Sequence, residues 1–157
     1  MNPEANAAKQ HYTKRSIFMV AGETSGEQYG SLLAQELHLL DPNLKLSGVG
    51  GDTMAEAGVE IQHHVRDMAV VGLTEVLSKY SKLKAVFDDV VHKILTTRPN
   101  VVVLIDYPGF NIRLAKAIKG SGIPVVYYIS PQIWAWHRKR VHDIAAYCDR
   151  ILVIFDF

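Results

Sequence analysis

Short, β-branched and continuously apolar segments alternate along the chain with segments whose apolar residues recur at helical spacing. Such continuous runs are typical of strands buried on both faces of a parallel sheet. Two weaker runs, Leu44–Val49 and Val59–Ile61, are consistent with further short strands. The four strong strand predictions are Ile17–Ala21, Val101–Ile105, Val125–Ile129 and Ile151–Phe155.

The predicted helices are marked by apolar stripes and by residues that end a helix. The first stripe ends at the turn Asp41-Pro42-Asn43, and a longer one ends near Arg98-Pro99, because proline disfavours helix in the residue before it. Asn111 is predicted to cap a third helix, which stops at Gly120 and Gly122. A last helix is predicted over 136–147. The residues of the three stripes, in order, are Tyr29, Leu33, Leu37 and Leu40; Leu73, Leu77, Tyr80, Leu83, Phe87, Val90, Val91 and Ile94; and Leu114, Ala115 and Ile118.

Strand–helix alternation with short connections predicts right-handed βαβ units, and therefore an α/β fold with a doubly wound parallel sheet. The 157 residues suit one domain. Residues 1–14 are expected to be a disordered lead-in, and residues 15–157 to form the domain. Ligands of such folds gather at the carboxyl ends of the strands, so the residues after each strand are the candidates for function.

Composition narrows the function classes. The net charge is +1, which argues against a nucleic-acid-binding protein with a strongly basic surface. Cys148 is the only cysteine, so no internal disulfide framework is expected and a reducing compartment is the default. Neither a secretory signal nor an apolar run long enough to span a bilayer is seen, which favours a cytoplasmic protein. His63 and His64 are adjacent and would point to opposite faces of a strand, so no metal site is predicted.

Glycine-rich turns follow the first two predicted strands. In Gly22-Glu23-Thr24-Ser25-Gly26 the glycines flank a helix start, where backbone can approach a ligand and free N–H groups suit an anion. The lysine of a P-loop and the third glycine of a dinucleotide fingerprint are absent. A tight turn capped by Ser25 or Thr24 is the alternative. Gly50-Gly51 similarly suggests exposed backbone, and a plain turn explains it nearly as well.

Asp106 directly follows the strand Val101–Ile105. A carboxylate at the end of a buried strand is costly unless it is hydrated, paired or used. This is the position at which a general base would be fixed by the sheet and would face a cleft. The alternative is a carboxylate that closes the Pro108-Gly109 turn or caps the next helix.

Two tryptophans, Trp134 and Trp136, follow the strand Val125–Ile129 together with Gln132. Side chains of these types could contact a sugar or an acyl chain. The basic residues that follow, including Lys139 and Arg140, could meet a phosphate, although a solvated helix face explains them more simply.

The segment from Met68 to Leu77 is apolar on all sides rather than amphipathic. It is either core or an exposed apolar rim that receives a lipid. The pattern alone favours core.

Five motifs occur in one order along the chain, and together they resemble the lipid-A-disaccharide synthase family from about Ser16 to Phe155. They are Ala-Gly-Glu-Thr-Ser-Gly at 21–26, Gly-Val-Gly-Gly at 48–51, Met-Ala-Val-Val-Gly-Leu-Thr-Glu-Val-Leu at 68–77, Ile-Asp-Tyr-Pro-Gly-Phe-Asn at 105–111 and Ser-Pro-Gln-Ile-Trp-Ala-Trp at 130–136.

The resemblance implies an inverting glycosyltransferase of the two-domain GT-B architecture, of which this chain would be the Rossmann-like N-terminal, acceptor-side half. It implies transfer of 2,3-diacylglucosamine from UDP-2,3-diacylglucosamine to 2,3-diacylglucosamine 1-phosphate, with UDP leaving, at the cytoplasmic face of the inner membrane. Neither a cofactor nor a catalytic metal is implied. Asp106 would be the base that takes the proton of the acceptor 6-hydroxyl.

The site residues expected on this basis fall into two further groups. Candidates for substrate binding are Gly22, Glu23, Ser25, Gly26, Gly50, Gly51, Asn111, Gln132 and Trp134. Candidates for membrane or acyl contact are Met68, Val70, Val71 and Leu73.

The chain departs from the family pattern at two places. Position 27 is Glu, where the family more often has Asp, and the sequence reads Asp156-Phe157 where the family continues with Pro-Phe-Glu into a second domain. We therefore expect a truncated N-terminal half. The open alternatives are an inactive remnant, a half that works with a separately encoded C-terminal half, and, less favoured, a flavodoxin-type ligand-binding module.

Overall fold

The computed structural model describes residues 15–68, 76–129 and 139–153, which form one parallel sheet with helices on both faces. In chain order the strands are β1 (Ser16–Ala21), β2 (Lys45–Gly50), β3 (Glu60–His64), β4 (Val101–Ile105), β5 (Val125–Tyr128) and β6 (Arg150–Leu152). The helices are α1 (Thr24–Leu40), α2 (Asp52–Glu56), α3 (Val65–Met68), α4 (Val76–Thr97), α5 (Pro108–Ile118) and α6 (Lys139–Tyr147).

The six strands lie in the order β3-β2-β1-β4-β5-β6, and every neighbouring pair is parallel. This is the doubly wound, Rossmann-like arrangement, so the predicted fold class is confirmed. The strand order reverses between β1 and β4, because the chain leaves β1 toward β2 and leaves β4 toward β5.

The sheet separates two hydrophobic cores, since successive side chains of a strand point to opposite faces. On one face, Phe18 and Val20 of β1 pack with residues of α4, α5 and α6. On the other face, Met19 and Ala21 pack with Ala34 of α1 and with α2. Because both faces are covered, the strands read as continuous apolar runs rather than as alternating ones.

Several element boundaries differ from the sequence prediction. The short strand predicted at Val59–Ile61 is β3, which runs from Glu60 to His64 and is followed directly by α3. Helix α2 was not predicted, because its single buried side chain, Met54, leaves no apolar stripe. Strand β6 begins one residue early, at Arg150. The start of the predicted last helix at Trp136 lies outside the described residues.

The two adjacent histidines at the edge strand β3 point in opposite directions, as expected. His63 contacts Asp89 of α4 with an Nε2–Oδ2 distance of 2.6 Å, and this contact lowers the pKa of the Asp89 carboxyl. His64 accepts a hydrogen bond from the Arg66 backbone N–H at Nδ1, so its Nε2 donates to Asp52 at 3.2 Å. The histidines therefore tie helices α4 and α2 to the sheet edge.

Cys148 should react slowly while the protein is folded. Burial raises the pKa of its thiol to about 11, with the neighbouring Asp149 charge acting in the same direction. The ordinary value is about 8.5, so the folded thiol holds far less reactive thiolate at pH 7.5. Alkylation by iodoacetamide should be roughly ten- to a hundredfold slower in buffer than in denaturant. Equal rates under the two conditions would contradict the burial of this thiol.

Candidate active site

The point where the strand order reverses brings two loops together at the carboxyl edge of the sheet. Ala21 and Ile105 are register partners at the ends of β1 and β4. Gly22 and Asp106 therefore follow on neighbouring strands, and the chain then diverges to opposite sides. In doubly wound folds the ligand crevice opens at such a point.

Asp106 stands on a turn of unusual backbone conformation. Asp106 and Tyr107 both have positive φ, at 48° and 44°. The Asp106 carbonyl oxygen accepts hydrogen bonds from the Tyr127 hydroxyl at 2.7 Å and from the Asn111 side-chain amide at 2.8 Å. Left-handed non-glycine residues cost about 1–3 kcal/mol each and persist only where their surroundings hold them. The Tyr127 hydroxyl and the Asn111 amide therefore hold the backbone of Asp106 in place, and its side chain is half-buried.

Asn111 supports this turn from inside the protein. The helix that it was predicted to cap begins at Pro108 instead, with Tyr107 in the cap position. Its side chain is 0% exposed, and its Nδ2 also donates to the carbonyls of Ile105 at 3.2 Å and Val20 at 3.4 Å. The Asn111 amide therefore holds the turn from inside the protein, and its contact with a substrate stays a prediction.

The loop after β1 presents its polar residues to solvent. Glu23 and Ser25 are exposed, whereas Gly22 is buried beneath the Tyr107 ring, where a Cβ atom would overlap that ring. Burial raises the pKa of the Tyr107 hydroxyl, and the Glu23 charge raises it further. Tyr107 thus stays a neutral hydrogen-bond donor near neutral pH, beside an exposed carboxylate.

Internal packing explains two of the glycines in the predicted ligand loops, Gly50 and Gly51. A Cβ atom at Gly26 would lie 3.4 Å from the Ile105 carbonyl oxygen. At Gly50 it would meet Met54, and at Gly51 the Glu27 carboxylate. All three glycines are buried, but only at Gly50 and Gly51 does a neighbouring side chain occupy the space that a Cβ atom would need.

Glu27, noted in the sequence only as a departure from the family pattern, has a structural role. It is 7% exposed, and its Oε1 accepts hydrogen bonds from the Thr53 backbone N–H at 2.8 Å and from the Thr53 hydroxyl at 2.9 Å. The carboxylate therefore caps the start of α2 and joins the loops after β1 and β2. Tyr127 was missed, because its position in an apolar strand is that of an ordinary core residue.

The remaining predicted site residues lie apart from this turn or outside the description. Met68, a candidate for membrane or acyl contact, is 2% exposed and belongs to the same core cluster as Val90 and Ile94 of α4. Gln132, Trp134, Val70, Val71 and Leu73 lie outside the described residues.

Within 15–68, 76–129 and 139–153, no group of three or more His, Cys, Asp or Glu side chains is arranged to hold a metal ion. Among the helices that the structure describes, none is long and apolar enough to cross a membrane.

The fold and the paired loops define a Rossmann-like α/β domain, whose switch point lies between β1 and β4. Residues 17–157 match the profile of the lipid-A-disaccharide synthetase family. The chain therefore belongs to the lipid-A-disaccharide synthase family, whose members are glycosyltransferases of lipid A biosynthesis.

Three curated relatives show how much of the family the chain represents. It is 46% identical to lipid-A-disaccharide synthase of Coxiella burnetii, strain Dugway, over 92% of this chain and 39% of the relative. The synthase of Geobacter metallireducens is 45% identical over 91% of this chain and 37% of the relative. Lipid-A-disaccharide synthase 1 of Legionella pneumophila, strain Paris, is 43% identical over 90% of this chain and 37% of the relative. The chain thus spans less than two-fifths of the length of these relatives.

Proposed function

We propose that this chain is the acceptor-side domain of a lipid-A-disaccharide synthase with Asp106 as its general base. The reaction would move 2,3-diacylglucosamine from its UDP conjugate to 2,3-diacylglucosamine 1-phosphate. The observation that carries the proposal is the position of Asp106, which stands on a doubly braced left-handed turn at the switch point of the sheet.

The proposed chemistry needs one proton acceptor beside the attacking hydroxyl. Asp106 would take the proton of the acceptor 6-hydroxyl while that oxygen forms a bond to the anomeric carbon of the donor. The bond from that carbon to the UDP phosphate oxygen breaks, and UDP leaves with the electron pair. Attack on the face opposite UDP inverts the anomeric carbon and gives the β-1,6 linkage. A base held by a rigid turn would lose little orientational freedom during this step.

A chimera tests this function. Residues 17–157 would replace the matching part of the Coxiella relative, and UDP release would be measured with both lipids and with each alone. We expect release only with both, and little or none from the 157-residue chain, which matches only 39% of that relative. A folded chimera that binds UDP but releases none with both lipids would contradict the proposal and favour an inactive remnant.

We further propose that the protein works at the cytoplasmic face of the inner membrane, with Val70, Val71 and Leu73 in contact with lipid. Each fully buried side chain of this kind contributes about 1.5–3 kcal/mol, so two or three suffice for reversible attachment. The nearby Arg66 is 75% exposed at its side chain and would add attraction to anionic headgroups, although it also pairs with Asp52.

A double substitution tests the membrane contact. The Val70→Ser plus Leu73→Ser variant should keep its melting temperature and lose binding to vesicles of anionic and zwitterionic phospholipids. Leu39→Ser plus Leu40→Ser is the matched control, because both leucines are highly exposed on α1. A fall of many degrees in melting temperature with vesicle binding unchanged would mean that the segment is core.

A further inference from the structure

An apolar groove of about 460 Å³ opens between α4 and α5, beside the turn that carries Asp106. Its walls are Leu83, Phe87, Tyr107 and Phe110. Phe87 and Phe110 meet edge to face with ring centroids 5.3 Å apart, and Tyr107 stacks on Phe110 at 6.0 Å. The volume lies in the range of roughly 300–1,000 Å³ that small-molecule sites have.

The chemistry of the walls restricts the occupant. Three of the four walls, Leu83, Phe87 and Phe110, have no hydrogen-bonding side-chain group, and the fourth, Tyr107, has a single hydroxyl. A ligand segment with several polar atoms would therefore lose most of its hydration without compensation. A saturated hydrocarbon chain has no such cost. The groove therefore suits an alkyl chain better than a sugar, a nucleotide or a peptide.

The charges at the rim favour an anion. Lys84 forms an ion pair with Asp88 along α4. Arg113 of α5 also lines the groove, is exposed, and has no carboxylate partner among the described residues. The rim thus carries one positive charge in excess, and guanidinium groups are well suited to phosphate.

We propose that this groove binds one acyl chain of a phosphorylated lipid, with the phosphate held near Arg113. The proposal rests on the function proposed above, since that reaction has an acylated sugar phosphate as its acceptor. The Tyr107 ring links the two parts of the site, because it covers Gly22 at the crevice and forms a wall of the groove. The acyl chain would then place the sugar beside Asp106.

Gly109 allows the groove to be blocked with little disturbance of the fold. A Cβ atom at this position meets no atom within 4 Å, and the residue lies at the groove rim. Dodecyl phosphate, kept below its critical micelle concentration, would be titrated into the 157-residue chain by calorimetry. Gly109→Phe should weaken binding at least tenfold, and Gly109→Ala should leave it unchanged. Leu83→Asp, which places a charge in the wall, is a second blocking variant.

Chain length and headgroup separate the two halves of the site. Each added pair of methylenes, from octyl to dodecyl phosphate, should tighten binding by up to about tenfold. Arg113→Gln should weaken the binding of dodecyl phosphate severalfold and leave the binding of decyl maltoside, which has no phosphate, unaffected.

Several results would overturn the proposal. These are binding unaffected by both Gly109→Phe and Leu83→Asp, affinity independent of chain length, or loss of binding in the α1 variant Leu39→Ser plus Leu40→Ser. The titration with alkyl phosphates needs no turnover. The groove proposal can therefore be contradicted by this titration while the chimera remains active. Conversely, an inactive chimera with an intact, Gly109→Phe-sensitive groove would remove the proposed transfer and leave the lipid site.

Discussion

Replacing Asp106 by alanine in the active chimera should lower the transfer rate by roughly 10²–10⁴, the usual contribution of a positioned acid or base. The acceptor hydroxyl would then lose its proton to water, without the orientation that the turn provides. The rate would be measured as UDP release with both lipids at saturating concentration, so that an effect on binding does not enter.

Asparagine at position 106 separates loss of the base from disturbance of the turn better than alanine does. Asp106 has φ of 48°, a conformation that asparagine tolerates better than alanine does. Asp106→Asn should therefore match the rate loss of Asp106→Ala while it keeps the melting temperature of the parent. A loss of less than about tenfold in both variants would show that another group is the base.

Replacing Asn111 by leucine should lower the free energy of unfolding by about 2–4 kcal/mol. The side chains are similar in size, but leucine cannot donate to the three carbonyls that Asn111 contacts, those of Val20, Ile105 and Asp106. The loss would be measured by urea denaturation of the 157-residue chain. Ala117→Leu, at an exposed position of the same helix, is the control and should change stability little.

This experiment also separates support from ligand contact. If Asn111 acts only by holding the turn, the cost appears without any ligand present. An Asn111→Leu variant as stable as the parent would contradict the role that its burial and hydrogen bonds assign to it.

The sheet could be predicted because strands buried on both faces consist of continuous apolar residues, which are visible in the sequence. The runs at β1, β4 and β5 are continuous and β-branched, and the helical stripes between them dictate parallel crossovers. The position of Asp106 followed from the same argument, since it is the first polar residue after β4. The start of α5 was missed although a signal was present, because proline is favoured at the first position of a helix.

The contacts of individual residues could not be predicted, because they depend on register. Gly50 and Gly51 look like ligand-binding glycines, and only the packing of Met54 and Glu27 against them shows another cause. Met68 begins an apolar segment for which the sequence pattern favoured core over a membrane rim, and the Met68 side chain itself packs in the core. Tyr127 carries no sequence signal for its hydrogen bond to the Asp106 carbonyl, since Asp106 follows the neighbouring strand β4 and is distant in sequence.

The most direct test of the acceptor-side assignment is binding of each substrate half to the 157-residue chain alone. A short-chain 2,3-diacylglucosamine 1-phosphate and UDP would be titrated separately into the ¹⁵N-labelled protein, and the amide shifts would be followed. We expect the acceptor to shift the amides at 22–26 and 106–111, and UDP to leave them unchanged. Shifts from UDP at these loops with none from the acceptor, or acceptor shifts confined to the opposite edge near Gly120 and Gly122, would contradict the account.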